Sequence, residues 1–163
     1  MEIKQPKEKS AEEALQALME RCARAETCLS DARRLLARWR VPQPEWEGVL
    51  RQLVDERFVD EQRYAEAFVR DKLHFSRWGA RKISEALYRK QIPREIIASA
   101  MEQVESASMG ERLETDLRRK NQSIKEENPY KRREKLIRFG VSRGFDLETV
   151  LETTDHILGD PNE

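Results

Sequence analysis

The sequence predicts an all-α fold, a tandem array of three three-helix modules with an elongated, curved outline, and three observations carry that expectation. The composition is that of helices: charged and hydrophobic residues each make up 38% of 163 residues, with six glycines and six prolines. Val, Ile, Thr and the aromatic residues nowhere alternate with polar residues over a strand's length. The third observation is a recurring pattern. A basic, amphipathic helix closes on a single apolar residue, followed by a turn and another apolar helix. It is most legible in Arg81-Lys82-Ile83-Ser84-Glu85-Ala86-Leu87-Tyr88-Arg89-Lys90-Gln91-Ile92, and recurs over Arg33 to Val41 and Arg133 to Phe145. The closing residues step by 51, from Val41 to Ile92, and then by 53, to Phe145. Self-similarity at this length marks a repeat array, whose usual product is an extended surface rather than a catalytic pocket.

The elements follow in order. Residues 1–10 are polar and are expected to form a disordered tail. The first module spans residues 11–57. Ala14, Leu15, Leu18, Met19 and Cys22 line one face of its first helix. Thr27 or Ser30 is expected to cap the second, which carries Ala32, Leu35, Leu36 and Trp39. Pro42 and Pro44 break the pattern, and Trp46, Val49, Leu50 and Leu53 restart it. The second module, 58–106, opens with Asp60 as an N-cap. Tyr64, Ala65, Phe68, Val69 and the alkyl stem of Lys72 form its first face. Ser76-Arg77-Trp78-Gly79 is a break, after which Ile83, Ala86 and Leu87 mark a helix. Pro93 turns the chain, and Ile96, Ile97, Ala100, Met101 and Val104 complete the module. The third module, 107–158, has a helix from about Ser108 with Leu113 and Leu117. Asn128-Pro129 is a helix start, a capping side chain before proline at the first helical position. Leu136, Ile137, Phe139 and Val141 follow. Gly144 permits a left-handed turn that returns Phe145 to the core. Asp146 caps a last helix whose Leu147, Val150, Leu151 and Ile157 are expected to face inward, and residues 159–163 are a second tail.

Composition also removes function classes. The chain carries 31 basic and 31 acidic residues, which argues against a globally basic nucleic-acid binder. No apolar run approaches the roughly 18 residues a bilayer span needs, and no signal-peptide core follows Met1-Glu2-Ile3-Lys4, so no membrane partner and a cytoplasmic location are expected. Cys22 and Cys28 fit reduced thiols in that compartment, and without a His or Cys cluster no metal is expected. No glycine-rich phosphate loop calls for a cofactor. His74 and His156 lack any neighbouring nucleophile or ligand set, and no acid–base pair stands out, so no catalytic residue and no enzyme is expected.

Charge is nonetheless organised. The middle helix of each module is basic, and the last helices of modules one and three are acidic, with Glu45, Glu47, Asp55 and Glu56, then Asp146, Glu148, Glu152 and Asp155. Stacked modules would align the basic helices into a discontinuous positive stripe, suited to a phosphate backbone or an acidic protein groove. The candidate contact residues are Arg33, Arg34 and Arg38, then Arg77, Arg81, Lys82 and Arg89, then Arg132, Arg133 and Arg138. Any one such helix is better read as a solvated face; the threefold recurrence brings the shared-surface reading level with it. Trp78 could stack on a base, but beside Gly79 it is better read as packing at an inter-helix corner.

These residues resemble a known family. Phe58-Val59-Asp60-Glu61-Gln62-Arg63-Tyr64-Ala65-Glu66-Ala67-Phe68-Val69-Arg70 resembles the central motif of RecX, the bacterial regulators of RecA recombinase. Trp78-Gly79-Ala80-Arg81-Lys82-Ile83, followed by Leu87, Lys90 and Ile92, is similar to the family's glycine, basic-apolar and leucine positions. Arg143-Gly144-Phe145 resembles its final-repeat signature. Gln91 stands where the family has glycine. The resemblance covers roughly residues 11–158. It implies three tandem three-helix repeats and a monomeric, non-enzymatic modulator, foremost an inhibitor, of RecA. Such a protein would lie in the groove of the RecA–DNA filament, touch DNA weakly there, and act in homologous recombination, DNA repair and the SOS response. A helical protein-interaction adaptor and a direct DNA-binding protein are the alternative readings.

Overall fold

Ser10 starts the first helix with a capping box: its hydroxyl accepts from the Glu13 amide while the Glu13 carboxylate accepts from the Ser10 amide. From there the computed structural model, which describes residues 7–159, is helical throughout. The helices are α1 (Ala11–Arg24), α2 (Leu29–Arg38), α3 (Trp46–Asp55), α4 (Glu61–His74), α5 (Ala80–Arg89), α6 (Arg94–Met101), α7 (Ser106–Ser123), α8 (Pro129–Ser142) and α9 (Leu147–Leu158). A short 3-10 turn, Gln43–Glu45, precedes α3, and no strand is found among the described residues.

The helices pack in threes. α3 lies on α1 and α2; α4, α5 and α6 touch one another, as do α7, α8 and α9. Each triplet has its own core. Leu18, Leu36 and Leu53 fill the first, Val69, Ile83 and Leu87 the second, and Leu113, Leu117, Leu136 and Val150 the third. Cores this small bury too little apolar surface to be comfortable alone. Two side chains link them: Cys28, just before α2, is buried in the second core, and Met109 packs on both the second and the third.

The recurring closing residue has one structural cause. Arg40, Gln91 and Gly144 all adopt positive φ, at 55°, 60° and 96°. The amide that follows each reaches back to close the helix, Val41 to Leu36 O, Ile92 to Leu87 O and Phe145 to Gly140 O, at 3.0, 3.2 and 3.3 Å. Val41, Ile92 and Phe145 are thereby turned into their cores, at 4%, 3% and 7% exposure. Left-handed geometry costs a residue with a Cβ about 1–2 kcal/mol, partly offset by the extra freedom glycine loses on folding. Gln91→Gly is therefore expected to stabilise the protein by about 0.5–1 kcal/mol, read as a rise in the urea midpoint. A lowered midpoint would mean that the Gln91 side chain is itself needed.

The cap expectations hold at Asp60, Asn128 and Asp146, whose side chains accept from first-turn amides. They fail at α2. Its N-cap is Cys28, which makes no side-chain cap bond, while Thr27 hydrogen-bonds back to Ala25 O and Ser30 lies inside the helix. Leu147 is also corrected: it is 55% exposed, and the inward stripe of α9 starts a turn later with Val150 and Thr154. The helix expected from about Ser108 begins at Ser106. Of the tail expected over residues 1–10, residues 8–10 are held to the first triplet: the Lys9 amide donates to Trp39 O, Glu8 pairs with Arg40 and Ser10 caps α1. Residues 1–6, and 160–163 of the tail expected over 159–163, lie outside the described residues.

Candidate interaction surface and the joints between triplets

Helix α5 starts on Gly79, which has no side chain to cap it. The missing acceptors come from the far end of α8. The Gly79 amide donates to Arg143 O at 2.6 Å and the Arg81 amide to Gly144 O at 3.2 Å. The Arg81 guanidinium donates to Val141 O and the Lys82 ammonium to Ser142 O, at 3.0 and 3.2 Å. Arg143 returns a bond to Ser76 O. The first amides and cations of one helix thus meet the last carbonyls of another, so opposite macrodipole ends satisfy each other. The approach is backbone to backbone: a Cβ on Gly79 would lie 2.5 Å from Gly144 C and O. Trp78 packs at this corner, edge-on to Phe68, with the ammonium groups of Lys72 and Lys82 each 4.5 Å from its ring. Arg77 completes the joint, its Nε on both oxygens of the buried Asp116 at 2.7 and 3.0 Å.

The joint between the first and second triplets is made of side chains. Asp31, 7% exposed, accepts from Lys90 of the following triplet and from Arg34, both at 2.7 Å. Burial pushes its carboxyl up, but hydrogen bonds from Lys90 and Cys28 and the charges of Lys90 and Arg34 outweigh it and hold it below its ordinary value. Nearby, burial pushes the Glu61 carboxyl up, against the opposing pull of the Leu29 amide and Arg33. Arg63 spans the same joint, with Nε on Glu26 at 2.7 Å and Nη2 on the carbonyls of Arg57 and Phe58.

Most of the candidate cations are therefore engaged within the fold. Arg34, Arg77, Arg81 and Lys82 hold the joints. Arg132 makes four bonds, to Asn121 O and Oδ1, Ile124 O and Glu126 O, that fix the turn between α7 and α8. Arg133 pairs with Asp155 at 2.9 Å, and Arg138 with Glu134 on its own helix. Arg33, Arg38 and Arg89 are exposed and make no ion pair among the described residues. Arg38 and Arg89 are the last residues of α2 and α5, the same place in consecutive repeats. Sequence reasoning passed over Arg119, Lys120 and Lys125, which gather with Arg143 around Phe139 along two adjoining clefts. The run Arg118-Arg119-Lys120 was the available signal.

Among the described residues no group of three or more His, Cys, Asp or Glu side chains is placed to hold a metal ion, and no helix is long and apolar enough to cross a membrane. The thiols of Cys22 and Cys28 are unbonded to each other, and burial pushes both up.

Comparison with known proteins places this geometry. Residues 60–101 match the family model of the second three-helix domain of RecX, and residues 111–153 that of the third, together just over half of the chain. The regulatory protein RecX of Oceanobacillus iheyensis is 30% identical over 98 residues, which are 60% of this chain and 36% of that protein. The match thus spans about a third of that relative's length. A crystal structure of regulatory protein RecX superposes with a TM-score of 0.80 at 19% identity, over 89% of this chain and 73% of the other. A crystal structure of RecX from Lactobacillus salivarius gives 0.75 at 16%, over 91% and 96%. At these identities the two structures establish the fold.

Proposed function

The chain belongs to the RecX family, and from that premise we propose that it is a non-catalytic modulator of RecA recombinase, acting as an inhibitor. It lies as a monomer in the groove of the RecA–DNA filament in the cytoplasm, and so tempers homologous recombination, DNA repair and the SOS response. Residues 11–57, 58–106 and 107–158 serve as three repeats along that groove.

The observation that supports this reading best is the repetition itself. Three helical closures of one geometry, with the unpaired Arg38 and Arg89 at equivalent positions, suit a partner whose own subunits repeat. Complementary charge of this exposed kind governs encounter and register more than it adds raw affinity. The remaining candidates serve the function through shape, by fixing the angles between triplets at which the exposed arginines are presented.

The test reverses the two unpaired charges at equivalent positions, leaving Arg33 in place because it faces the Glu61 carboxylate. In Arg38→Glu/Arg89→Glu, inhibition of RecA ATPase on single-stranded DNA is expected to need about tenfold more protein, with an unchanged melting temperature. Unchanged inhibition by the folded variant removes these arginines from the contact surface. A wild-type protein that binds neither RecA nor its filaments removes the recombinase reading altogether.

A further inference from the structure

In a chain of zero net charge, one surface is nearly all positive. A cleft of about 290 Å³ between α7 and α8 is lined by Arg77, Arg119, Lys120 and Arg143, with Asp116 the carboxylate in its wall and Phe139 against it. Asp116 is already bound to Arg77. A second cleft of about 540 Å³ adjoins it through Lys120, Ser123 and Phe139, and adds Lys125, Lys135 and Arg138 with no carboxylate in its lining. The cations come from two helices and three loops, so they are not the outer face of any one amphipathic helix. Arg119, Lys120, Lys125 and Arg143 make no ion pair among the described residues. Phe139 packs on the third core from below, while the Lys120 ammonium and the Arg143 guanidinium stand 5.4 and 4.9 Å from its ring centre.

Arg77, Lys135 and Arg138 pair with Asp116, Glu126 and Glu134, and Arg143 donates to Ser76 O, but among the described residues the side chains of Arg119, Lys120 and Lys125 make no hydrogen bond or ion pair, and like charges converging on a concave surface repel one another. An anionic ligand would relieve that repulsion. The aromatic surface between the two clefts narrows the choice. A base can lie on a phenyl ring while its flanking phosphates meet lysine and arginine on either side, which is how single strands are held without sequence preference. A duplex keeps its bases stacked inside and offers none to Phe139. An acidic peptide supplies charge but no planar group. We propose that the α7–α8 clefts form a binding site for a single strand of nucleic acid, with Arg119, Lys120, Lys125 and Arg143 on the phosphates and Phe139 under a base. The site belongs to this chain alone and does not rest on the recombinase reading.

The experiment contains no recombinase, so either proposal can fail without the other. Fluorescence anisotropy of a labelled oligothymidylate is followed against the intact protein across a salt series. Four phosphate contacts predict a slope of log K on log salt near −3, at about 0.7 per contact on single strands. Arg119→Glu/Lys125→Glu changes two exposed residues. It is expected to weaken binding by about tenfold or more and to shallow the slope by more than one. Arg24→Glu/Arg51→Glu, the same charge change on the first triplet, is expected to leave binding unchanged. Phe139→Leu, which keeps an apolar residue against the core, is expected to cost about fivefold or more through lost stacking. The proposal is overturned if wild-type protein does not bind the oligonucleotide, or if the first-triplet control weakens binding as much as the cleft variant. It also falls if polyglutamate displaces the strand at equal charge concentration, which would make the occupant an acidic polypeptide.

Discussion

Gly144→Ala is expected to destabilise the protein by about 3–4 kcal/mol and Gly79→Ala by about 2–3 kcal/mol, the larger loss combining left-handed strain with overpacking. Both glycines sit where α8 ends against the start of α5. Gly144 has φ 96°, and a Cβ there would lie 2.2 Å from Lys82 Cβ. A Cβ on Gly79 would meet the backbone of Gly144 and Phe145 at 2.5–2.6 Å. Backbone cannot step aside as a flexible side-chain tip can, so relief requires the two triplets to part. Parting breaks the Gly79–Arg143 and Arg81–Gly144 hydrogen bonds and strips the start of α5 of these acceptors. Gly48 and Gly110 provide the control, since a Cβ at either meets nothing within 4 Å. Alanine at those helical positions is expected to stabilise by about 0.5–1 kcal/mol. The check is urea unfolding followed by both tryptophan fluorescence, from Trp39 and Trp46 in the first triplet and Trp78 at the joint itself, and helical circular dichroism, which reports all three triplets. In the joint variants the two curves should separate as the third triplet loses its partner. Curves superimposable on wild type would show that the joint does not carry this energy.

The elements of this fold were legible because each helix announces its start and its buried face locally. Asp60, Asn128-Pro129 and Asp146 cap where their chemistry says, and Leu18, Ile83, Leu87 and Leu136 sit on their cores where the helical period puts them. The joints were not legible. A helical period tells which side of α5 faces away from its own core, but not that the next triplet covers it. Arg81 and Lys82 therefore read as free charge while they in fact cap α8. Arg132 is the same case on a shorter scale, four hydrogen bonds to a turn whose geometry no local rule fixes. The left-handed conformations of Arg40 and Gln91 were hidden for another reason. Only glycine advertises positive φ, and here tertiary closure imposes it on residues that advertise nothing. The clefts around Phe139 needed two helices and three loops to be brought together before their common charge could be seen.

The joint between the first and second triplets should fail in a different way, because it is held by charge. Asp31→Ala is expected to cost about 2–3 kcal/mol, below the usual 3–5 for a broken buried pair because its partners reach solvent. The Lys90 and Arg34 side chains are 32% and 69% exposed, so the cations left behind are partly rehydrated. A double-mutant cycle with Lys90→Ala isolates the contact across the joint, and a coupling energy near zero would remove Asp31–Lys90 from the forces that hold it. The pH dependence gives an independent reading. The Asp31 carboxyl is held below its ordinary value of 3.8, so its contribution is fully present above that value and is lost as pH falls through the lower folded one. Glu61 runs the other way: its carboxyl is raised above 4.5, so its favourable contribution lies at low pH and is lost as pH rises through the folded value. Stability should accordingly climb as pH rises toward 3.8 and slip back as it rises past 4.5, and Asp31→Ala should flatten the limb below about pH 4 and narrow the Glu61 window, because the Asp31 charge helps to raise that carboxyl. Salt screens charge but not backbone hydrogen bonds, so added salt should loosen this joint and leave the glycine joint closed. A protein hinged in that way keeps its second and third triplets as one body, with the exposed Arg33 and Arg38 carried on the part that moves.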